Sequence, residues 1–216
     1  MTLPADIIEQ LVGRSAIVTG GTGLYLTALT RGLAWIPPVP EAIRARGMAL
    51  LEEPDGLARL LADLDASTAD GIDRANPVRV LRAWEVLHGT GRGLAEWQAE
   101  TGPPLIAPDD ADCVVLQADR DWLAARIERR FAQMLQQGAL DEVRALAGQW
   151  DPSAQWARAI GAAELMGHLE GRLSMEEATR RAVIATRRYA KSQRSWFRNR
   201  MADWQLVSAE GISPTS

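Results

Sequence analysis

Apolar residues return every three or four positions along most of this chain, the spacing of helices that bury one face. From Glu41 to about Gln98 the pattern is all helical. One helix covers Glu41 to Leu51. The next is predicted to be capped by Asp55, with Leu57, Leu60, Leu61 and Leu64 on its buried face. Asn76 followed by Pro77 is an N-cap with the favoured first-turn proline. That helix should run to about His88 and stop at Gly89-Thr90-Gly91. Further on, Asp119 or Arg120 opens a helix with Leu123, Ile127, Phe131 and Met134 inward. Gly138 ends it, and another helix covers Leu140 to Gln149. Two short runs read as strands instead: Ala16–Thr19 suits a buried parallel strand, and the stretch from Asp112 to Gln117 is a second strand candidate. Pro4 to Leu11 reads as a short helix closed by Gly13.

Prolines divide this pattern. Pro37-Pro38-Val39-Pro40 breaks the chain, and Gly102-Pro103-Pro104 with Pro108 marks a return crossing. The expected organisation is an α/β core from residues 1–36 and 109–216, with an all-helical insertion over 37–108. Most of the chain is helix.

The last helix carries the clearest chemistry. Ser174 with Glu177 three residues on predicts a capping box at its start. After Glu177 no acid occurs before Asp203, while eight arginines and lysines fall in that window. Arg187, Lys191, Arg194 and Arg198 are spaced four, three and four apart, so they share a face. Like charges at those spacings repel, which predicts a compensating partner outside the helix. Trp196 and Phe197 are interleaved, and planar rings among guanidiniums suit nucleic acid with exposed bases. A solvated basic face is the bland alternative.

Composition sharpens this. The net charge is -4, so the basic helix is a local patch in an acidic chain. The single Cys113 excludes an internal disulfide and any cysteine-based zinc site, as expected in a reducing cytoplasm. No run is apolar enough to span a membrane, and the first residues do not have a signal-peptide pattern. His88 and His168 are isolated and read as surface or packing residues.

The Ala16–Thr19 run leads into Gly20-Gly21-Thr22-Gly23, followed by a helix through Leu33. Strand, glycine turn and helix start can present backbone N–H groups to a phosphate. A dinucleotide fold opens similarly, but its third glycine is missing. Glu41 also lies in a proline-rich stretch rather than at the end of a second strand. A tight turn that simply needs glycines is the plain structural alternative.

Several separated motifs then agree. GGTGLYLTAL at Gly20 to Leu29, VPEAIRAR at Val39 to Arg46 and NPVRVLRAWEV at Asn76 to Val86 resemble the tRNA dimethylallyltransferases. So do HGTGRGLAEWQ at His88 to Gln98, RIERRFAQMLQQGALDEVRAL at Arg126 to Leu146 and RAIGAAEL at Arg158 to Leu165. ATRRYAKSQRSWFR at Ala185 to Arg198 completes the set. The resemblance covers nearly the whole chain, in the family's order.

It implies transfer of a dimethylallyl group from dimethylallyl diphosphate to N6 of the adenosine beside the tRNA anticodon, with Mg2+. It implies a P-loop kinase-like core holding an inserted helical tRNA-binding domain. The partners implied are the anticodon stem-loop and the prenyl diphosphate, for a cytoplasmic monomer without a membrane. Carried over by position, Thr22 and Arg130 are the catalytic candidates, and Gly21, Thr22 and Arg130 the diphosphate ligands. The tRNA contacts implied are Thr22, Arg44, Arg79, Arg82, Arg158, Gly161, Lys191, Gln193, Arg194, Trp196 and Arg198. Val78 and Ala162 depart from the family's usual Gln and Tyr. A GPTxSGK[ST] loop and a DSxQ segment, with its proposed general-base Asp, are not found in these residues. The expectation is therefore an N-terminally truncated core, impaired or inactive in prenyl transfer. A catalytically dead RNA-binding remnant is the alternative. The basic helix and the glycine corner are expected to face each other across one tunnel.

Overall fold

The computed structural model describes residues 16–152 and 154–210. The helix predicted over Pro4 to Leu11 lies outside them. Two compact units result: Leu24–Ala111, and a second that joins the described residues up to Gly23 to those from Asp112 onward. The proline signals had put the crossings at 36/37 and 108/109. Helix α1 (Gly23–Thr30) instead carries the chain across the first division.

The first unit is wholly helical. It contains α2 (Glu41–Glu52), α3 (Gly56–Ala62), α4 (Ala66–Gly71), α5 (Pro77–Thr90) and α6 (Leu94–Ala99). Its core is Leu60, Val80 and Trp84, all fully buried, under Ile43, Leu50, Leu57, Leu61 and Leu64. Gly47 lets α2 come close to α5: a Cβ there would stand 2.8 Å from Leu81 Cδ1 and 3.1 Å from the Trp84 ring. Asn76 caps α5 as predicted, its Oδ1 accepting from Arg79 N at 3.2 Å. Gly91, at φ 75°, ends it. Asp55 does not cap as expected. It sits in the left-handed region, φ 60°, with no side-chain capping bond. Asp65, which gave no clear signal, does cap: its Oδ1 accepts from Thr68 N at 2.9 Å.

The second unit holds β1 (Val114–Gln117), α7 (Arg120–Gln136), α8 (Ala139–Leu146), α9 (Ala162–Leu169), α10 (Met175–Arg200) and β2 (Gln205–Ser208). Asp119 caps α7, accepting from Asp121 N at 2.8 Å and Trp122 N at 3.0 Å. Ile127 and Phe131 are buried with Val143, Leu165, Met166, Ala182 and Val183. β1 and β2 form a two-stranded parallel sheet with Val114 opposite Gln205. Leu116 and Leu206 on it are 60% and 63% exposed.

The strand predicted over Ala16–Thr19 is not formed. These residues are irregular, and Ile17 is 92% exposed. An extended run becomes a strand only when a neighbour takes its N–H and C=O groups, and among the described residues none does. The described chain is thus mostly helical, with one small parallel sheet.

Candidate nucleic-acid interface

Helix α10 is 26 residues long. Ser174 Oγ accepts from Glu177 N at 3.1 Å, which is one half of the predicted capping box. The other half is displaced, because the Glu177 carboxylate takes Arg181 at 2.6 Å and Arg180 at 2.7 Å. Those two guanidiniums, Arg181 foremost, hold its carboxyl below the usual range. Ala178, Ala182 and Val183 are buried and anchor the first half of the helix against the core.

Its second half carries the cations. Arg187 pairs with Glu128 of α7, a partner outside the helix as the repulsion argument requires. Lys191, Arg194 and Arg198 have no carboxylate partner among the described residues. They line an open cleft of about 530 Å³ between α10 and α7. Arg120 and Arg187 add to its rim, and Asp121 is the one acid in the lining. Leu123, Ala124, Ile127 and Ala190 supply apolar lining. Several unmatched cations beside a low-dielectric wall focus a positive potential, which suits a polyanion.

The glycine corner lies against the same helix. Gln193 Nε2 donates to the Gly21 carbonyl at 2.8 Å. A Cβ on Gly21 would clash with that amide, and a Cβ on Gly23 would clash with the Trp196 ring. The glycines therefore have a packing use, whatever else they do. Thr22 between them is exposed. Trp196 is half-buried and meets Phe197 edge-on, with centroids 5.6 Å apart.

A helix turns about 100° per residue. Lys191, Arg194 and Arg198 therefore share one side of α10, and Gln193 with Trp196 lies on the opposite side. The expectation of a common tunnel is corrected here. The cations point into a cleft that Thr22 does not line. The corner and the cation row flank α10 instead of facing each other.

The other expected residues are scattered. Arg130 is exposed on α7 and is not among the residues lining the cleft. Arg158 is exposed in the turn before α9. Gly161 is buried at φ 98°, and its N–H donates to Glu164 Oε2 at 3.1 Å. In the helical unit Arg44 is exposed on α2. Arg79 stands 3.8 Å from Asp73, and Arg82 3.4 Å from Glu85. Arg120 was missed, although it shares the helical face of Leu123, Ala124 and Ile127. His88 stacks on Trp84 at 4.0 Å, and His168 Nδ1 sits 3.1 Å from the Leu173 carbonyl oxygen, so both are packing residues.

The family description IPP transferase fits residues 3–200. The chain belongs to the IPP transferase family. A relative from Paracoccus denitrificans named tRNA dimethylallyltransferase is 64% identical over 195 residues, covering 90% of this chain and 65% of its own. One of the same name from Dinoroseobacter shibae is 55% identical, covering 94% and 69%. The chain thus spans about two thirds of the length of these relatives. Among solved structures, a tRNA isopentenylpyrophosphate transferase from Bacillus halodurans is 31% identical with a TM-score of 0.56. It covers 94% of this chain and 62% of its own. A eukaryotic dimethylallyltransferase, described as acting on tRNA, is 25% identical with a TM-score of 0.73, over 95% and 54%.

Members of this family would be expected to use Mg2+. Among the described residues no three His, Cys, Asp or Glu side chains gather into a metal site. Mg2+ is commonly held by one or two carboxylates together with substrate phosphates, and no step below runs through it. No described helix is long and apolar enough to cross a membrane.

Proposed function

We propose that this chain works in tRNA modification, moving a dimethylallyl group from dimethylallyl diphosphate to N6 of the adenosine beside the anticodon. In that reaction the N6 lone pair forms a bond to C1 of the donor, the C1–O bond breaks, and diphosphate leaves with the electron pair. N6 then gives up a proton to the departing diphosphate or to water. Negative charge grows on the departing diphosphate, so fixed cations and N–H donors near it lower the barrier. Gly21, Thr22 and Arg130 are assigned to that end, and Thr22 also to the reacting nucleotide. Lys191, Arg194 and Arg198 grip the RNA backbone, with Arg158 on the same unit. Arg44, Arg79 and Arg82 hold the stem-loop from the helical unit, which is the inserted domain of a P-loop kinase-like core.

One observation carries this reading: three cations on one face of α10, without a carboxylate partner among the described residues, lining a cleft on the helix that also seats the glycine corner. The names of the relatives supply the chemistry. The test is fluorescence anisotropy with an unmodified anticodon stem-loop over a salt series. Arg194→Glu should weaken binding at least about tenfold, because reversal both removes a phosphate contact and adds a repulsion. Binding indifferent to Arg194→Glu sinks the reading. Labelled dimethylallyl diphosphate with magnesium and unmodified tRNA then reads the chemistry. Labelled tRNA supports the transferase, and gripping without label removes the catalytic part.

A further inference from the structure

We infer that Gln193 and Trp196 are positioning residues that fasten the Thr22 corner to the back of the RNA-gripping helix, and are not RNA contacts. Both lie on the side of α10 opposite Lys191, Arg194 and Arg198. Gln193 has its amide on the Gly21 carbonyl at 2.8 Å. The Trp196 ring occupies the space that a side chain at position 23 would need. The phosphates held by the cation row lie across the helix from both groups, so that grip does not use them. Gly21 and Gly23 are the two residues that let this approach happen, since any Cβ at either would strike the fastening side chain. Thr22 is the exposed side chain of the corner, and the corner's geometry is set from α10. The inference rests on the function proposed above in one respect only, that the cation row holds RNA.

The full chain is used for the test, with two readouts: affinity for the anticodon stem-loop, and hydrogen exchange of the corner amides, residues 26 and 27, whose N–H groups close the first turn of α1 onto Thr22 and Gly23. Gln193→Ala and Trp196→Leu should keep the affinity within about twofold while the corner amides exchange at least about tenfold faster. Arg194→Ala should do the reverse. Gln193→Glu adds a signature that loss of packing would not give. Its ionised carboxylate cannot donate to Gly21, but its protonated form can. Corner protection should therefore return only below about pH 4, near the ordinary carboxyl range. Gly21→Ala should loosen the corner, and pairing it with Gln193→Ser should relieve the clash. If Gln193→Ala weakens RNA binding as much as Arg194→Ala, or leaves corner exchange unchanged, the inference is overturned. If Arg194→Ala has no effect on binding, the RNA reading fails, and the exchange data still decide whether the corner is fastened.

Discussion

A Cβ added at Gly161 would stand 2.9 Å from Cε2 of Phe131, on a backbone already at φ 98°. Phe131 is buried among Ile127, Leu165 and Ala182, so the ring has little room to retreat. The family resemblance had put Gly161 in an RNA-binding turn. Its place in the packing gives it a different necessity. Gly161→Ala should destabilise this unit by about 1–3 kcal/mol, from left-handed strain together with overpacking. A thermal melt followed by circular dichroism reads this. An unchanged midpoint would mean that the α7–α9 packing is loose.

Trp84 plays the corresponding part in the helical unit. It is fully buried, and its Nε1 donates to Asp63 Oδ2 at 3.0 Å. The Arg46 guanidinium lies 5.5 Å from its ring centre. Trp84→Ala should cost about 3–5 kcal/mol, the range for deleting a large core side chain. Trp84→Phe keeps most of the apolar packing, removes the hydrogen bond, and should cost less. Urea denaturation of the two variants separates them, and equal losses would assign the stability to the hydrogen bond rather than to burial.

What could be read from the chain depended on how local its cause was. α5 was legible because Asn76, Pro77 and Gly91 each act within a few residues of the helix ends. α7 was legible through Asp119 and the Leu123–Ile127–Phe131 stripe. The Ala16–Thr19 run misled because strand formation depends on a neighbour, and hydrophobicity cannot supply one. β2 was missed because Gln205-Leu206-Val207-Ser208 has only two apolar residues, whereas β1 has the run Val114-Val115-Leu116. At the site, the unmatched cations were visible as a run without acids. Glu128, which among the described residues pairs with Arg187 alone, is 59 positions from it, and Gln193 is 172 from Gly21, separations at which spacing rules say nothing. That the cations and Gln193 take opposite sides of α10 follows from helical periodicity alone. Where the corner docks does not.

Salt dependence should separate the cations by their pairing. The slope of log K against log salt shrinks by about 0.7 for each single-strand phosphate that the protein no longer neutralises, and by about 0.9 for duplex. Lys191→Ala, Arg194→Ala and Arg198→Ala should each reduce the slope by about that much. Arg187 already has Glu128 opposite it. Arg187→Ala should therefore change the slope less, and releasing the carboxylate should cost affinity through repulsion instead. Stem-loop titrations at four or more salt concentrations give the slopes. Identical slopes for all four variants would mean that the Glu128 pair opens when RNA binds.

Acid should loosen the second unit through two carboxylates, the exposed Asp119 and the half-buried Glu177. Asp119 accepts from the backbone N–H groups of Trp122 and Asp121, which hold its carboxyl below the usual range. Glu177 is lowered by Arg181 and Arg180. In both cases the folded state binds a proton more weakly than the unfolded chain. The stability they contribute is therefore present above the ordinary carboxyl range and is lost as pH falls through the lower, folded values. Unfolding free energy should change little between about pH 5.5 and 7.5 and drop below about pH 4. Asp119→Asn keeps a capping oxygen, so stability at neutral pH should move little while the acid limb becomes shallower. Glu177→Gln should also flatten that limb, and added salt should mask its effect more than that of Asp119→Asn, because a guanidinium pair at the surface is screened. Urea midpoints measured from pH 3 to pH 7 check this. An acid limb that keeps its steepness in the double variant would place the titrating groups in the helical unit, where Asp65 and Glu100 are the carboxylates held low.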